Sequence, residues 1–236
     1  MFFPVSAFSV FHLQFSVKIF HWLESDFHLF EKINNMTMKL YGSLTSPYVR
    51  RIRFLALELG IPVSLVDTMT EEGQKELRSK NPIWKVPYIE IGETKIWDSH
   101  AIMDYIFEKY GYGSLRPQTF GSHIEESNLI YAIDGALDAG INLFYLLKEG
   151  VPLESTPYLQ KQKDRISSVM LYLKSELKDD FFFSEKRLGV SELNFYTALD
   201  WFRFRNVFPV AEHPELVHFL TTHGQNPNLE KTAPPK

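Results

Sequence analysis

The chain predicts an α/β half followed by an all-helical half, and three observations carry that prediction. Between Met38 and Tyr110, short apolar strands alternate with stretches of helical periodicity. A Val86-Pro87 step inside that region runs straight into the alternating segment Tyr88-Ile89-Glu90-Ile91. After a turn-rich stretch at 111–117, only helical periodicity remains.

The elements follow in order. Lys39-Leu40-Tyr41-Gly42 reads as a strand closed by glycine. Ser46 is a good N-cap with Pro47 at the first helical position. Val49, Ile52, Ala56 and Leu59 then share one helix face, and Gly60 stops the helix. Ile61 to Asp67 is a second strand, Glu71 to Ser79 a short helix, and two short strands form a hairpin ending in Trp97-Asp98-Ser99. Ser99 to Tyr110 closes the unit as a helix with Ile102, Ile106 and Tyr110 inward. Strand, helix, strand, helix, strand, strand, helix is an α/β sandwich of thioredoxin type.

Residues 111–117 read as a linker, and residues 120–236 as the helical domain. Ile130, Ile133, Leu137, Ile141 and Phe144 mark one apolar stripe, with Gly135, Ala136, Ala139 and Gly140 expected to allow close helix approach. Ile166, Met170 and Leu173 mark a second. Ser191 is the expected N-cap of a third helix, with Val190 and Phe195 as its hydrophobic staple. Pro214 opens a last helix, and Asn226 to Lys236 reads as a polar, proline-rich tail.

Composition narrows the function. The 236 residues are 44% apolar and 23% charged, as in ordinary globular domains, and the net charge of −4 offers no general attraction to nucleic acid. The basic run Arg50-Arg51-Ile52-Arg53 reads as a solvated helix face. There is no cysteine, so disulfides, thiolate metal sites and a protein thiol nucleophile are all excluded. Residues 1–37 do not match the ordered pattern. They are apolar at the start but lack a basic lead and a small-residue cleavage site, and His12, Gln14, Lys18 and His21 interrupt any membrane span. They read as a dispensable extension, or one added by an upstream start codon; the alternative is a peripheral amphipathic anchor, which their few cations disfavour.

The candidate site gathers around the proline. An X-Pro bond is the one place where a cis peptide is cheap to keep. A cis turn at Pro87 would leave the Val86 main chain free to pair with an extended peptide. Asp98 and Ser99 offer a carboxylate and a hydroxyl at a helix start, so the whole reads as a small site for a peptide with charged ends. His100 reads as a surface histidine beside it, and Asp134 and Asp138 as a solvated helix face within reach of the cleft. Arg205 reads as the structural partner of a carboxylate in the helical half. No Gly-x-Ser-x-Gly elbow, phosphate-binding glycine loop or His-Glu-x-x-His pair occurs.

Ser46-Pro47-Tyr48, Lys85-Val86-Pro87 and Asp98-Ser99, followed by a helical half, resemble the cytosolic glutathione S-transferases over Met38 to Lys236. Asp134-Gly135-Ala136-Leu137-Asp138-Ala139-Gly140, Phe204-Arg205 and the Thr232-Ala233-Pro234-Pro235-Lys236 tail are most similar to the bacterial serine-type branch. The resemblance implies a thioredoxin-like glutathione-binding domain at 38–112 and a helical substrate-binding domain at 120–236. It implies a cytoplasmic, homodimeric detoxification enzyme that takes glutathione as co-substrate, a small electrophile as second substrate, and no metal or other cofactor.

By the same resemblance Ser46 holds the catalytic position, with Thr45 and Tyr41 as fallback hydroxyls. Val86 pairs with the cysteinyl unit, Asp98 and Ser99 hold the γ-glutamyl end, and Lys85 meets the glycyl carboxylate. The family commonly has glycine where this chain has Trp84, which predicts a crowded loop, and aspartate where it has Asn194. The alternative is a non-catalytic protein-interaction module on the same fold.

Overall fold

The computed structural model describes residues 37–154 and 156–235. The expected extension therefore lies outside the described residues up to residue 36.

A four-stranded sheet has the order β2-β1-β3-β4. Its strands are β1 (Met38–Gly42), β2 (Val63–Asp67), β3 (Tyr88–Ile91) and β4 (Thr94–Trp97). β2 runs parallel to β1, with Leu40 opposite Leu65, while β3 and β4 are antiparallel. Three helices belong to this half: α1 (Pro47–Glu58), α2 (Glu71–Lys80) and α3 (Ser99–Tyr110). The period-two pleat divides the strand side chains between two faces. Met38, Leu40, Ile89 and Ile91 are buried in the main core with Val49 and Ile52 of α1 and Ile102 and Ile106 of α3. Each such side chain contributes about 1.5–3 kcal/mol by leaving water. Tyr41 and Tyr88 go to the other face, buried with Leu77 of α2.

The helical half comprises α4 (His123–Lys148), α5 (Pro157–Glu176), α6 (Val190–Arg205), α7 (Pro214–Gly224) and the short α8 (Pro227–Lys231), with a 3₁₀ turn at Val210–Glu212. α6 is buried at every residue from Val190 to Phe202 and belongs to the same continuous core as α1 and α3. α4 is long and apolar enough to cross a membrane by composition, yet Asp134 and Asp138 stand at its middle, and its apolar positions Ile133, Ala136 and Leu137 are buried in that core.

Several local expectations are corrected. α6 begins two residues early. Gly189 is its N-cap, and the Glu192 carboxylate reaches back to accept from the Gly189 N–H at 2.9 Å, the acidic half of a capping box. Ser191 lies inside the helix, bonded to Glu126 and Glu192, because those carboxylates are already buried beside it. The connection at 111–117 is packed rather than free: Tyr112 stacks on Phe107, Leu115 is buried, and Arg116 pairs with the buried Glu126. The expected tail also folds back. Asn226 caps α8, and Leu229 and Thr232 are buried where their carbonyls accept from Arg50 and Arg53 of α1.

The glycines of α4 divide in the same way. A Cβ at Gly140 would lie 2.4 Å from the Phe202 ring, so this glycine sets the approach of α4 to α6. A Cβ at Gly135 would meet nothing within 4 Å. Gly140→Ala is therefore expected to cost about 1–3 kcal/mol by overpacking. Gly135→Ala should gain up to about 1 kcal/mol from helix propensity alone. Urea unfolding of both variants checks the pair, and equal effects at the two positions would sink the packing argument.

Candidate functional site

Each predicted site residue occupies the start of a helix or strand. Ser46 caps α1 from the extended region, φ −77° and ψ 126°, and its Oγ accepts from the Val49 N–H at 3.3 Å. Among the described residues no acceptor takes the Ser46 hydroxyl proton. The loop before β3 is tied to the buried Asn81, whose side chain donates to the Lys85 carbonyl at 2.8 Å and accepts from the Ile83 N–H at 3.1 Å. The Val86–Pro87 peptide is cis. The Val86 main chain makes no hydrogen bond to a described residue.

Asp98 caps α3, accepting from the His100 N–H at 2.8 Å, and holds φ at +78°. A non-glycine residue there is strained, and such residues concentrate at ligand sites. Ser99 is buried directly behind it.

These elements enclose a pocket of about 120 Å³ whose walls include Lys85, Val86, Asp98 and Ser99 together. Four of the five predicted site residues therefore meet. Ser46 is not in the wall; Tyr48, two residues further along α1, is.

The floor is electrostatic. Arg51 is completely buried and reaches Asp134 at 2.7 Å, Thr197 at 3.3 Å and the Ser99 hydroxyl at 3.5 Å. Asp134 also pairs with His100, and the Tyr48 hydroxyl donates to Asp138 at 2.5 Å. Burial opposes ionisation of Asp134, but the Arg51 charge and the His100 bond outweigh it and hold the carboxyl below its usual range. Burial first, then the Asp138 bond, pushes the Tyr48 phenol up, so it stays protonated as a donor.

Three expectations change here. The basic run is not a solvated face: Arg50 is 2% and Arg51 0% exposed, because α1 is clamped between the helical half and the folded-back C-terminus. Arg50 pairs with Asp200 and donates to the Leu229 carbonyl. Asp134 and Asp138 both line the pocket; Asp134 is largely withdrawn from solvent, while Asp138 keeps the exposure expected of it. Tyr41 is no fallback hydroxyl, since it is buried under α2 and engaged with Glu76, Glu90 and Lys80.

Trp84 does not crowd the site. Its φ of +54° is the conformation glycine adopts freely, and the residue is 62% exposed, with the Arg78 guanidinium 5.3 Å from its ring. Tyr48, Arg51 and Asn81 were missed as site residues. The adjacency of two arginines to a Ser-Pro helix start was the one available signal, and it reads equally as surface.

A larger, mostly apolar cavity of about 450 Å³ lies in the helical half. It shares no wall residue with the small pocket.

Residues 40–118 match the family model described as the glutathione S-transferase N-terminal domain. An uncharacterized glutathione S-transferase-like protein of Escherichia coli K12, YibF, is 26% identical over 84% of this chain and 100% of its own length. Glutathione S-transferase D7 of Drosophila melanogaster is 26% identical over 82% of this chain and 89% of its own. Among solved structures, a glutathione transferase family member from Pseudomonas fluorescens Pf-5 with bound glutathione superposes with a TM-score of 0.72 at 24% identity. The alignment covers 84% of this chain and all of that one. A glutathione S-transferase from Methylobacillus flagellatus with glutathione bound gives 0.74 at 22% identity, with the same coverage. At these identities the structural likeness shows the fold.

Proposed function

The chain belongs to the glutathione S-transferase family, and from that premise we propose that it binds glutathione in the small pocket and transfers its thiol to an electrophilic carbon. The observation that carries the reading is the convergence of Lys85, Val86, Asp98 and Ser99 in one wall. A γ-glutamyl peptide has an amino-acid end, a central amide and a terminal carboxylate. Asp98 offers a charge for the ammonium, Ser99 a hydroxyl for the adjoining carboxylate, the unbonded Val86 main chain a partner for the amide, and Lys85 a cation for the far carboxylate.

Ser46 supplies the chemistry in this reading. A free thiol with a pKa near 8.5 is mostly protonated at neutral pH, so the site must favour the thiolate. Among the described residues the Ser46 hydroxyl proton is uncommitted, and it stands at the N-terminus of α1, where the helix dipole also favours an anion. The thiol proton leaves to solvent, the sulfur lone pair forms the C–S bond, and the leaving group departs with its electron pair. A protein–glutathione mixed disulfide is impossible without cysteine. The same reading includes a small electrophile as second substrate, a homodimeric assembly and the serine-type branch.

Calorimetric titration with glutathione tests the binding half, and conjugation of an activated aryl halide the chemical half. Asp98→Ala is expected to raise the glutathione concentration for half-saturation about tenfold, for loss of one charge-assisted contact. Absence of binding at millimolar glutathione would remove both ligand and chemistry.

A further inference from the structure

The two carboxylates that α4 brings to the small pocket stand one helical turn apart and meet different partners. Asp134 is bonded to the buried Arg51 and to His100, so its charge is matched within the protein. Asp138 is exposed, and its side chain takes one hydrogen bond, from the Tyr48 hydroxyl to Oδ1 at 2.5 Å. Among the described residues no cation pairs with Asp138, and its Oδ2 accepts nothing. Arg205, expected as a carboxylate partner in the helical half, has none among the described residues; it lines the separate 450 Å³ cavity, over the rings of Phe144 and Phe204.

Tyr48 fixes which end of the pocket Asp138 occupies. It lies two residues past Ser46 on α1, and its hydroxyl joins the start of that helix to α4. Asp138 therefore flanks the end of the pocket nearest Ser46. Asp134, through Arg51, flanks the end nearest Ser99.

With glutathione held as in the transferase reading, on which this inference rests, three of its charges are matched. The ammonium meets Asp98 and the glycyl carboxylate meets Lys85. The γ-glutamyl carboxylate meets Ser99, whose hydroxyl lies 3.5 Å from the Arg51 guanidinium. The thiolate and Asp138 remain, two negative charges at the same end of the pocket. Like charges side by side hold the ionised thiol back, and a cation placed between them removes that cost.

We propose that the second substrate is a cationic electrophile, with its positive charge beside the reactive carbon, and that Asp138 selects it. Activated N-alkylpyridinium halides are the simplest members of that class. The thiolate sulfur forms the C–S bond to the ring carbon, and chloride leaves with the bonding electron pair. The ring keeps its positive charge beside Asp138 throughout. An anionic electrophile meets two like charges instead, and is rejected.

Initial rates at saturating glutathione with three aryl chlorides test this: 2-chloro-1-methylpyridinium, 1-chloro-2,4-dinitrobenzene and 4-chloro-3,5-dinitrobenzoate. Acceleration, taken as kcat/KM over the uncatalysed rate constant, is expected to fall from cation to neutral to anion by about tenfold at each step. Asp138→Asn keeps an oxygen for the Tyr48 bond and removes the charge. It should slow the cation about tenfold, leave the neutral halide within about threefold and speed the anion. Asp138→Lys should reverse the order. N-methylpyridinium, which has no leaving group, should compete with the halide rather than with glutathione, and should inhibit Asp138→Asn about tenfold less than wild type. Should the variants fail to fold, the wild-type order and this inhibition still decide. Equal acceleration of the three halides, or an order that Asp138→Asn leaves unchanged, overturns the proposal while conjugation keeps the transferase reading standing. Glutathione binding without conjugation of any halide overturns it together with the chemical half of that reading. Absence of glutathione binding, read in the separate titration, removes both.

Discussion

Asp134→Asn is expected to lower the unfolding free energy by about 3–5 kcal/mol, the usual cost of stranding a buried charge. Asparagine keeps the shape of aspartate but leaves the Arg51 guanidinium, which is wholly out of solvent, without its anion. Arginine cannot shed its proton to escape. At about 2–4 °C per kcal/mol for a chain of this size, melting should fall by roughly 6–20 °C.

The pH dependence has a definite sign. The Asp134 carboxyl sits below its ordinary value in the folded chain, so its stabilisation is complete above the unfolded pKa of about 3.9 and is lost as pH falls through the lower folded value. The gap between wild type and variant should be constant at neutral pH and close only in acid. The double variant Arg51→Met with Asp134→Asn should lose less than the single, because no unpaired charge remains. Chemical denaturation across pH measures all three. A single variant within 1 kcal/mol of wild type, on the scale of an exposed pair, would show that Arg51 draws little from Asp134.

Ser46→Ala is expected to lower conjugation about ten- to a hundredfold at saturating glutathione, since a hydrogen bond to a charged group is worth about 1.5–3 kcal/mol. Affinity for glutathione should change little, because the residues in the pocket wall remain. The capping bond to Val49 is lost as well, at about 1 kcal/mol of stability, so melting must be compared first.

Tyr48→Phe is the necessary companion, because Tyr48 lines the pocket and Ser46 does not. The Tyr48 proton is already given to Asp138, and its phenol is held up by burial and by that carboxylate, so it is a poor donor to a thiolate. Turnover should therefore survive Tyr48→Phe. Full activity in the serine variant with loss in the tyrosine variant would transfer the role to Tyr48.

What the sequence determined by itself was local. Ser46-Pro47 at a helix start, the strand of alternating residues after Pro87, and the cap at Asp98 each depend on the conformational preferences of a few neighbouring residues. Those preferences are readable wherever the residues stand. Capping and turn chemistry placed Lys85, Val86, Asp98 and Ser99 at the ends of elements that the β-α-β-α-β-β-α order brings to one end of the sheet. The same local signals misplaced the α6 cap by two residues, because Gly189 has no side chain to announce itself and its partner is the carboxylate of Glu192.

What only the tertiary structure decided was burial, and with it the value of each charge. Arg50 and Arg51 are identical to surface arginines when read along α1. They become core residues because α6 and the returning C-terminal segment close over them, bringing Asp200 from 150 positions away and Asp134 from 83. The same closure takes Asp134 off a solvated face and sets it in the pocket wall, and it leaves Arg205 over an aromatic ring with a buried Nε unbonded. A charge costs little in water and several kcal/mol out of it. Whether it lies in water depends on chain segments far from it in sequence, which no local pattern around the charge encodes.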